Sequence, residues 1–306
     1  MSEMMSTLRH RSDKRASGKS RRPDLSVRGA AVITGAGSGI GQALAYEFAG
    51  AGRPLALLDI DEDSLARTAA RCGEIGADVG CHTLDVADPD ALDAAAAAIH
   101  ERFQTIGIVC NVAGIIHTGN LLDSELADIH RVMDVDFWGI VHGTKVFLPY
   151  LIASGDGYLV NVSSAFGLVA APGYSAYNAA KFAVRGFTES VQQEMLDAGH
   201  PVQISCVYPG GIRTAIMRNS TWATGYDGPA LQRTFDQSVA RMSAEDAATR
   251  ILRGVAAGKS RILVGADAAI SDALSRITGT GYQRIARTAK VIHRRRAGRT
   301  TYGGGS

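Results

Sequence analysis

Tyr177 and Lys181 stand four residues apart in a segment that reads as a helix from just after Pro172-Gly173 to about Ala198. That spacing puts a phenol and an ammonium on one helix face, about one turn apart. A lysine cation beside a phenol favours the phenolate, drawing an intrinsic pKa near ~10 towards the range useful for acid/base catalysis. Just upstream, the apolar run from Gly157 to Val162 reads as a buried strand ending in the hydroxyl pair Ser163-Ser164. A serine hydroxyl delivered there could share a substrate oxygen with the phenol. A core tyrosine next to a surface lysine would show the same spacing, so the case depends on the rest of the chain.

The elements that must position these groups begin with a short apolar strand, Ala30 to Thr34, that runs directly into Gly35-Ala36-Gly37-Ser38-Gly39-Ile40-Gly41. A helix follows, with Ile40, Leu44, Ala45 and Phe48 on one stripe. Glycines between strand and helix let backbone N–H groups approach a pyrophosphate seated on the helix N-terminus. The turn lacks the terminal Gly-Lys-Ser/Thr of a nucleotide-triphosphate loop, and its spaced glycines, Gly35, Gly39 and Gly41, do not fit Gly-x-Gly-x-x-Gly. A ligand-free glycine turn is the alternative. A second strand, Leu55 to Leu58, ends at Asp59, where a carboxylate can accept from adenosine ribose hydroxyls and repels a 2′-phosphate. Asp61 reads as the cap of the next helix.

Strand and helix then alternate. Helices are expected over 61–75 and from the Asp88-Pro89 start to Phe103, with a strand from Val79 to Leu84 between them and Asp85-Val86 at its edge. A fourth strand, Gly107 to Cys110, breaks at Asn111-Val112-Ala113-Gly114, and one long helix is expected from about Ser124 to Leu151. Val202 to Tyr208 and Arg261 to Val264 are the sixth and seventh strands, the last after a helix capped by Ser243. This alternation predicts one doubly wound α/β domain over residues 28–267, a seven-stranded parallel sheet with helices on both faces. Residues 1–27 read as a disordered basic extension, and residues 268–306 as a basic helical extension ending in a flexible Gly/Ser tail.

The 306 residues are 46% hydrophobic and 20% charged with a formal net charge of +2, an ordinary globular composition that names no partner. Cys72, Cys81, Cys110 and Cys206 show neither close pairing nor histidine clusters, so a reducing compartment without disulfides or metal is expected. The start of the chain has no apolar core of a secretory signal, and no apolar run is long enough to span a bilayer. A cytoplasmic protein follows from these readings. Tyr282, Ile285, Ala289 and Ile292, with Arg284, Arg287, Lys290 and Arg294 to Arg296, outline a basic amphipathic helix. Packing on the domain is the expectation for it, ahead of contact with a membrane. Nothing points to nucleic acid.

Thr34-Gly35-x-x-x-Gly39-x-Gly41, Asn111-x-Ala113-Gly114, Ser164, Tyr177-x-x-x-Lys181 and Pro209-Gly210-x-x-x-Thr214 occur in one order, and over residues 28–264 the chain resembles the short-chain dehydrogenase/reductase family. The resemblance implies a Rossmann-type fold and an oxidoreductase moving a hydride between a nicotinamide cofactor and a secondary alcohol or ketone. It implies that Tyr177 gives or takes the hydroxyl proton, that Lys181 lowers its pKa and holds the nicotinamide ribose, and that Ser164 polarises the substrate oxygen. Gly35, Gly37, Ser38, Gly39, Ile40 and Gly41 would hold the pyrophosphate and Asp59 with Ile60 the adenosine ribose. Asp85 and Val86 would border the adenine, Asn111, Ala113 and Gly114 the middle of the cofactor, and Pro209, Gly210, Ile212 and Thr214 its nicotinamide amide. NAD(H) is expected ahead of NADP(H), and a homodimer or homotetramer by analogy.

One position departs from the family pattern: Asp136, in Asp134-Val135-Asp136-Phe137-Trp138-Gly139, stands where an asparagine supporting a water relay is usual. It could pair with Lys181 or stay protonated in a buried site. The expectation is that relay water bonds mainly to backbone and activity survives. A catalytically weak or inactive cofactor-binding scaffold is the competing reading. Phe166, Leu168, Val169, Tyr174 and Gly211 border the catalytic residues, and Met217, Trp222, Tyr226 and Phe235 fall in an expected lid over 215–237. Such side chains suit an apolar alcohol or serve only as lid packing.

Overall fold

The computed structural model describes residues 29–284. The expected N-terminal extension and, beyond Arg284, the expected basic stripe lie outside the described residues. Seven parallel strands, β1 (Ala30–Thr34), β2 (Leu55–Asp59), β3 (Val79–Thr83), β4 (Ile106–Asn111), β6 (Gly157–Val162), β7 (Val202–Pro209) and β9 (Arg261–Val264), form one sheet in the order β3-β2-β1-β4-β6-β7-β9. The strand order reverses between β1 and β4, and at such a switch point the strand ends leave a crevice. The doubly wound Rossmann-type architecture is therefore as expected.

The strands are apolar on both sides because helices cover both faces. Ala31, Ile33, Leu55, Leu57, Ile108 and Cys110 pack with Leu44 and Phe48 of α1 (Gly39–Gly50) on one face. The alternate residues Val32, Ala56, Leu58, Val109 and Leu159 pack with Leu92 and Ile99 of α2's successor across the sheet, α3 (Pro89–Phe103), α2 being Glu62–Ile75. The predicted caps are present. Asp61 accepts from Ser64 N, Asp88 from Asp90 N and Ala91 N, and Ser243 from Asp246 N.

The long helix expected over 124–151 is instead α4 (Leu126–Met133), a π-helical turn (Asp134–Trp138) and α5 (Gly139–Ala153). A π turn accommodates one extra residue and re-aims the side chains within it. Here it carries Asp136 to full burial. A Cβ at Gly139 would lie 2.6 Å from Val86 Cγ2, so glycine there lets the turn close on the connection that follows β3. A second sheet, β5 (His117–Thr118) with β8 (Thr221–Trp222), was not expected, because two-residue strands leave no periodicity to read. The remaining helices are α6 (Ser175–Ala198), α7 (Gly228–Ser238), α8 (Ala244–Ala256) and α9 (Ala266–Thr278).

The glycine turn depends on one close approach. A Cβ on Gly41 would sit 2.1 Å from the Gly35 carbonyl oxygen, a backbone atom with no freedom to retreat, whereas one on exposed Gly50 meets nothing. Gly41→Ala should lower the unfolding free energy by about 1–3 kcal/mol. Gly50→Ala should raise it by about 0.5 kcal/mol through reduced backbone entropy. Urea titration of the two variants checks the contrast, and equal stabilities would contradict it.

Candidate active site

A cavity of about 540 Å³ opens at the carboxyl end of the sheet. Its lining runs from Gly35, Ser38, Gly39, Ile40 and Gly41, past Asp59, Ile60, Asp85 and Val86, to Ala113 and Gly114. It continues to Ser164, Phe166, Tyr177 and Lys181, and closes with Pro209, Gly210, Gly211, Ile212 and Thr214. Residues from widely separated segments thus share one continuous surface.

At the first end, Gly35 and Gly39 take positive φ of 68° and 54°, which lets the chain double back before α1. A Cβ at Gly39 would meet the Thr214 side chain at 3.0 Å, and one at Gly37 the Asp59 carboxylate at 2.9 Å. Bare backbone therefore faces the cavity. Asp59 accepts from Gly37 N at 2.7 Å and from Asp61 N at 3.0 Å, which fixes its carboxylate against the turn while it still lines the cavity. An exposed helix N-terminus, side-chain-free backbone and an oriented carboxylate fit the diphosphate and ribose of a dinucleotide. Arg53 is buried at the other end of β2, bonded to Gly29 O and packed over Phe48.

At the middle, Thr34 Oγ1 accepts from Val112 N and Ala113 N, joining the end of β1 to the loop after β4. The Asn111 side chain turns away from the cavity, donating to Asn161 Oδ1 at 2.9 Å within a buried polar layer that also contains Thr144 and Thr188. Gly37 and Tyr174 likewise do not line the cavity, the Tyr174 ring packing on Phe166 at 5.3 Å. Of the expected lid residues Phe235 reaches the cavity, whereas Trp222 lies against Gly228 and Tyr226 bonds Asn120 N and Asp123. Met217 is buried in the small core beneath.

At the far end, Tyr177 and Lys181 are both buried, and Lys181 Nζ lies 5.5 Å from the Tyr177 ring centre. Ser163 Oγ donates to Lys181 O, and Lys181 Nζ donates to Val162 O at 3.3 Å, tying α6 to the end of β6. Ser164 caps the following turn by accepting from Phe166 N. Asp136 completes the cluster. Its Oδ2 lies 3.1 Å from Lys181 Nζ, and its Oδ1 accepts from Ile115 N at 2.7 Å. Gly114 packs on this pair, since a Cβ there would be 3.3 Å from Nζ and 3.4 Å from both carboxylate oxygens.

Of the two alternatives left open for Asp136, the geometry is that of a pair with Lys181. Burial pushes its carboxyl up, and the Lys181 charge opposes that. Burial also pulls the Lys181 ammonium down, but Asp136 and Tyr177 outweigh it and the group stays above its ordinary value. Tyr177 differs from the sequence-based expectation. Burial raises its phenol, Asp136 raises it further, and the opposing pull of Lys181 does not bring it below its ordinary value.

Residues that motif reasoning missed line the cavity too. Arg131 on α4 pairs with Asp85 Oδ2 at 2.8 Å on the wall that also holds Val86, and Ile115, Ile116, Ile216 and Val239 add apolar surface. Asp267 and Ser271 enter from α9. None belongs to a short motif; their only signal is three-dimensional.

Comparison with known proteins agrees with this geometry. A family model described as short chain dehydrogenase matches residues 29–224. A Mycobacterium tuberculosis protein, SadH, whose name assigns it provisionally to the oxidoreductases, is 54% identical over 255 residues, 83% of this chain and 92% of its own. Estradiol 17-beta-dehydrogenase 11 of Mus musculus is 30% identical over 247 residues, 80% of this chain and 78% of its own. The crystal structure of a short chain dehydrogenase/reductase from Burkholderia phymatum in complex with NAD superposes with a TM-score of 0.78 at 30% identity, covering 85% of this chain and 96% of that one. The glycine turn, the buried Tyr177–Lys181 pair and these likenesses agree, and the chain belongs to the short-chain dehydrogenase/reductase family of oxidoreductases.

Proposed function

We propose that this protein is an NAD(H)-dependent oxidoreductase acting on an apolar secondary alcohol or its ketone, with Tyr177 as acid/base. The observation that carries the reading is the buried Tyr177–Lys181 pair, with Ser164 beside it, at the end of a cavity that begins at the glycine turn. A nicotinamide cofactor would accept the hydride from the carbinol carbon. Tyr177 as phenolate takes the hydroxyl proton as the carbonyl forms, and returns it in the reverse direction. Ser164 orients the same oxygen, and Lys181 with the glycine backbone holds the cofactor in register.

Asp59 supports NAD(H) over NADP(H): its carboxylate suits sugar hydroxyls and opposes a phosphate. The neighbouring NAD complex is consistent with this choice. Phe166, Ile216, Phe235 and Val239 favour an apolar substrate, as does the steroid alcohol in the name of the mouse relative. Trp138 and Phe182, exposed at 47% and 38% on the helical surface, support a homo-oligomer. No described helix is long and apolar enough to cross a membrane. The Asp136–Lys181 pair favours a second reading, a cofactor-binding protein with weak or no turnover, because the ammonium is engaged by a carboxylate. A panel of alcohols with NAD⁺ separates the two.

Tyr177→Phe keeps the ring and removes the transferable proton, so it should bind NADH normally and lose ~10²- to 10⁴-fold in turnover. Retained turnover with an identified substrate would rule out the mechanism.

Alcohol oxidation needs Tyr177 ionised, and burial together with Asp136 holds it protonated to higher pH. Asp136→Asn removes one of those influences and should move the rising limb of the pH–rate profile to lower pH. A limb that stays in place rejects the charge coupling.

Fluorescence titration should find NADH bound at least about tenfold more tightly than NADPH. Tighter NADPH binding would sink the assignment of Asp59.

A further inference from the structure

Helix α9 begins beyond residues 29–224, where the family match ends, yet it contributes Asp267 and Ser271 to the cavity wall. Its attachment is specific. Asp267 Oδ2 accepts from Gly211 N at 2.5 Å, and Oδ1 accepts from Ala268 N at 3.0 Å. The approach is so close that a Cβ on Gly210 would fall within 2.0–2.2 Å of the Asp267 carboxylate atoms. Gly265, with φ of 110°, makes the sharp exit from β9 that lets Asp267 fold back, and its own Cβ would also meet this carboxylate.

The same segment is anchored twice more. Asp272 bonds Arg261 of β9 at 2.5 Å and Arg276 on its own helix at 3.0 Å. Past the end of α9, Tyr282 Oη accepts from Ala170 N at 3.1 Å. Ala170 belongs to the loop between Ser164 and Tyr177. The segment from Gly265 to Tyr282 therefore touches both loops that border the far end of the cavity: Pro209–Thr214 at its start and the 165–174 loop at its end.

The geometry points to Asp267 as a positioning residue that holds the Gly210–Gly211 turn in its cavity-lining conformation, with α9 as the strap that fixes that turn relative to the Ser164–Tyr177 loop. Its consequence for cofactor affinity rests on the function proposed above; the tether itself does not. A carboxylate accepting a backbone N–H makes a charge-assisted bond, and without it the buried Gly211 N loses its acceptor. The turn then keeps its backbone bonds from Gly210 N to Val264 O and from Arg241 N to Gly211 O but loses the one that ties it to α9, which leaves the Gly211 amide freer to move.

Hydrogen exchange resolved at single amides, on the full chain, tests the tether directly. Asp267→Ala should speed exchange at Gly211 about tenfold, the factor for one lost charge-assisted bond. Asp267→Asn keeps an acceptor of the same size, so its exchange should stay within about threefold of wild type. Tyr282→Phe should speed exchange at Ala170 and leave Gly211 unchanged. The same proteins titrated with NADH should show Asp267→Ala weakened about five- to tenfold and Asp267→Asn largely restored. Unchanged exchange at Gly211 in Asp267→Ala overturns the tether. Faster exchange with unaltered NADH affinity overturns its role in shaping the site. A wild-type protein that ignores NADH refutes the proposed function instead, and exchange alone then decides the tether.

Discussion

An ammonium buried from solvent must be met by an anion or by several dipoles, and that requirement organises the chemical end of this molecule. Lys181 sits inside the fold with Asp136 at 3.1 Å and Val162 O at 3.3 Å. To bring Asp136 there, the helix between α4 and α5 opens into a π turn. Gly114 packs beside the pair, and the amide after it, Ile115 N, is spent on the carboxylate. A buried pair contributes little net stability, because desolvation offsets the attraction, but removing one partner strands a charge. The pair is best understood as a positional constraint on the loop, the π turn and α6 together.

The opposite end of the cavity obeys a steric constraint. Gly35 with Gly41, Gly37 with Asp59, and Gly39 with Thr214 are approaches that a methyl group would crowd. They leave main-chain groups as the cavity surface at the start of α1, where a helix N-terminus presents unpaired N–H groups. The carboxyl ends of β1, β2 and β4 lie together there because the strand order reverses between β1 and β4. The two ends are joined through Thr34, whose hydroxyl accepts two amides of the loop after β4. Below that loop, Asn111, Thr144, Asn161 and Thr188 bond to one another in the core, so the loop rests on a polar floor and Asn111 is structural in its side chain.

Much of this was legible in the residues themselves. Alternating apolar runs and helical stripes specified the seven strands and their parallel arrangement, since strands separated by helices have few other ways to pack. The glycine turn, Asp59 at a strand end, and Tyr177 with Lys181 on one helical face were local patterns whose geometry follows from chain periodicity alone. Asp61, Asp88 and Ser243 were readable as caps because capping depends on a handful of neighbouring residues.

Other features required the assembled fold. Whether Asp136 meets Lys181 depends on a π turn that no pattern in Asp134–Trp138 announces. The direction of the Tyr177 shift depends on burial, which sets the cost of charge, and not on the spacing to Lys181 that suggested a lowered value. Asn111 lies in a motif stretch, yet its side chain follows the polar floor away from the cavity. Arg131, Asp267 and Ser271 reach the cavity from helices far along the chain. The sequence by itself determined the elements, their order and the residues with chemistry to offer, because these depend on short-range spacing. Only the tertiary structure decided which of those residues share a surface and which way burial and neighbours move their ionisation, because proximity and desolvation are properties of the packed whole.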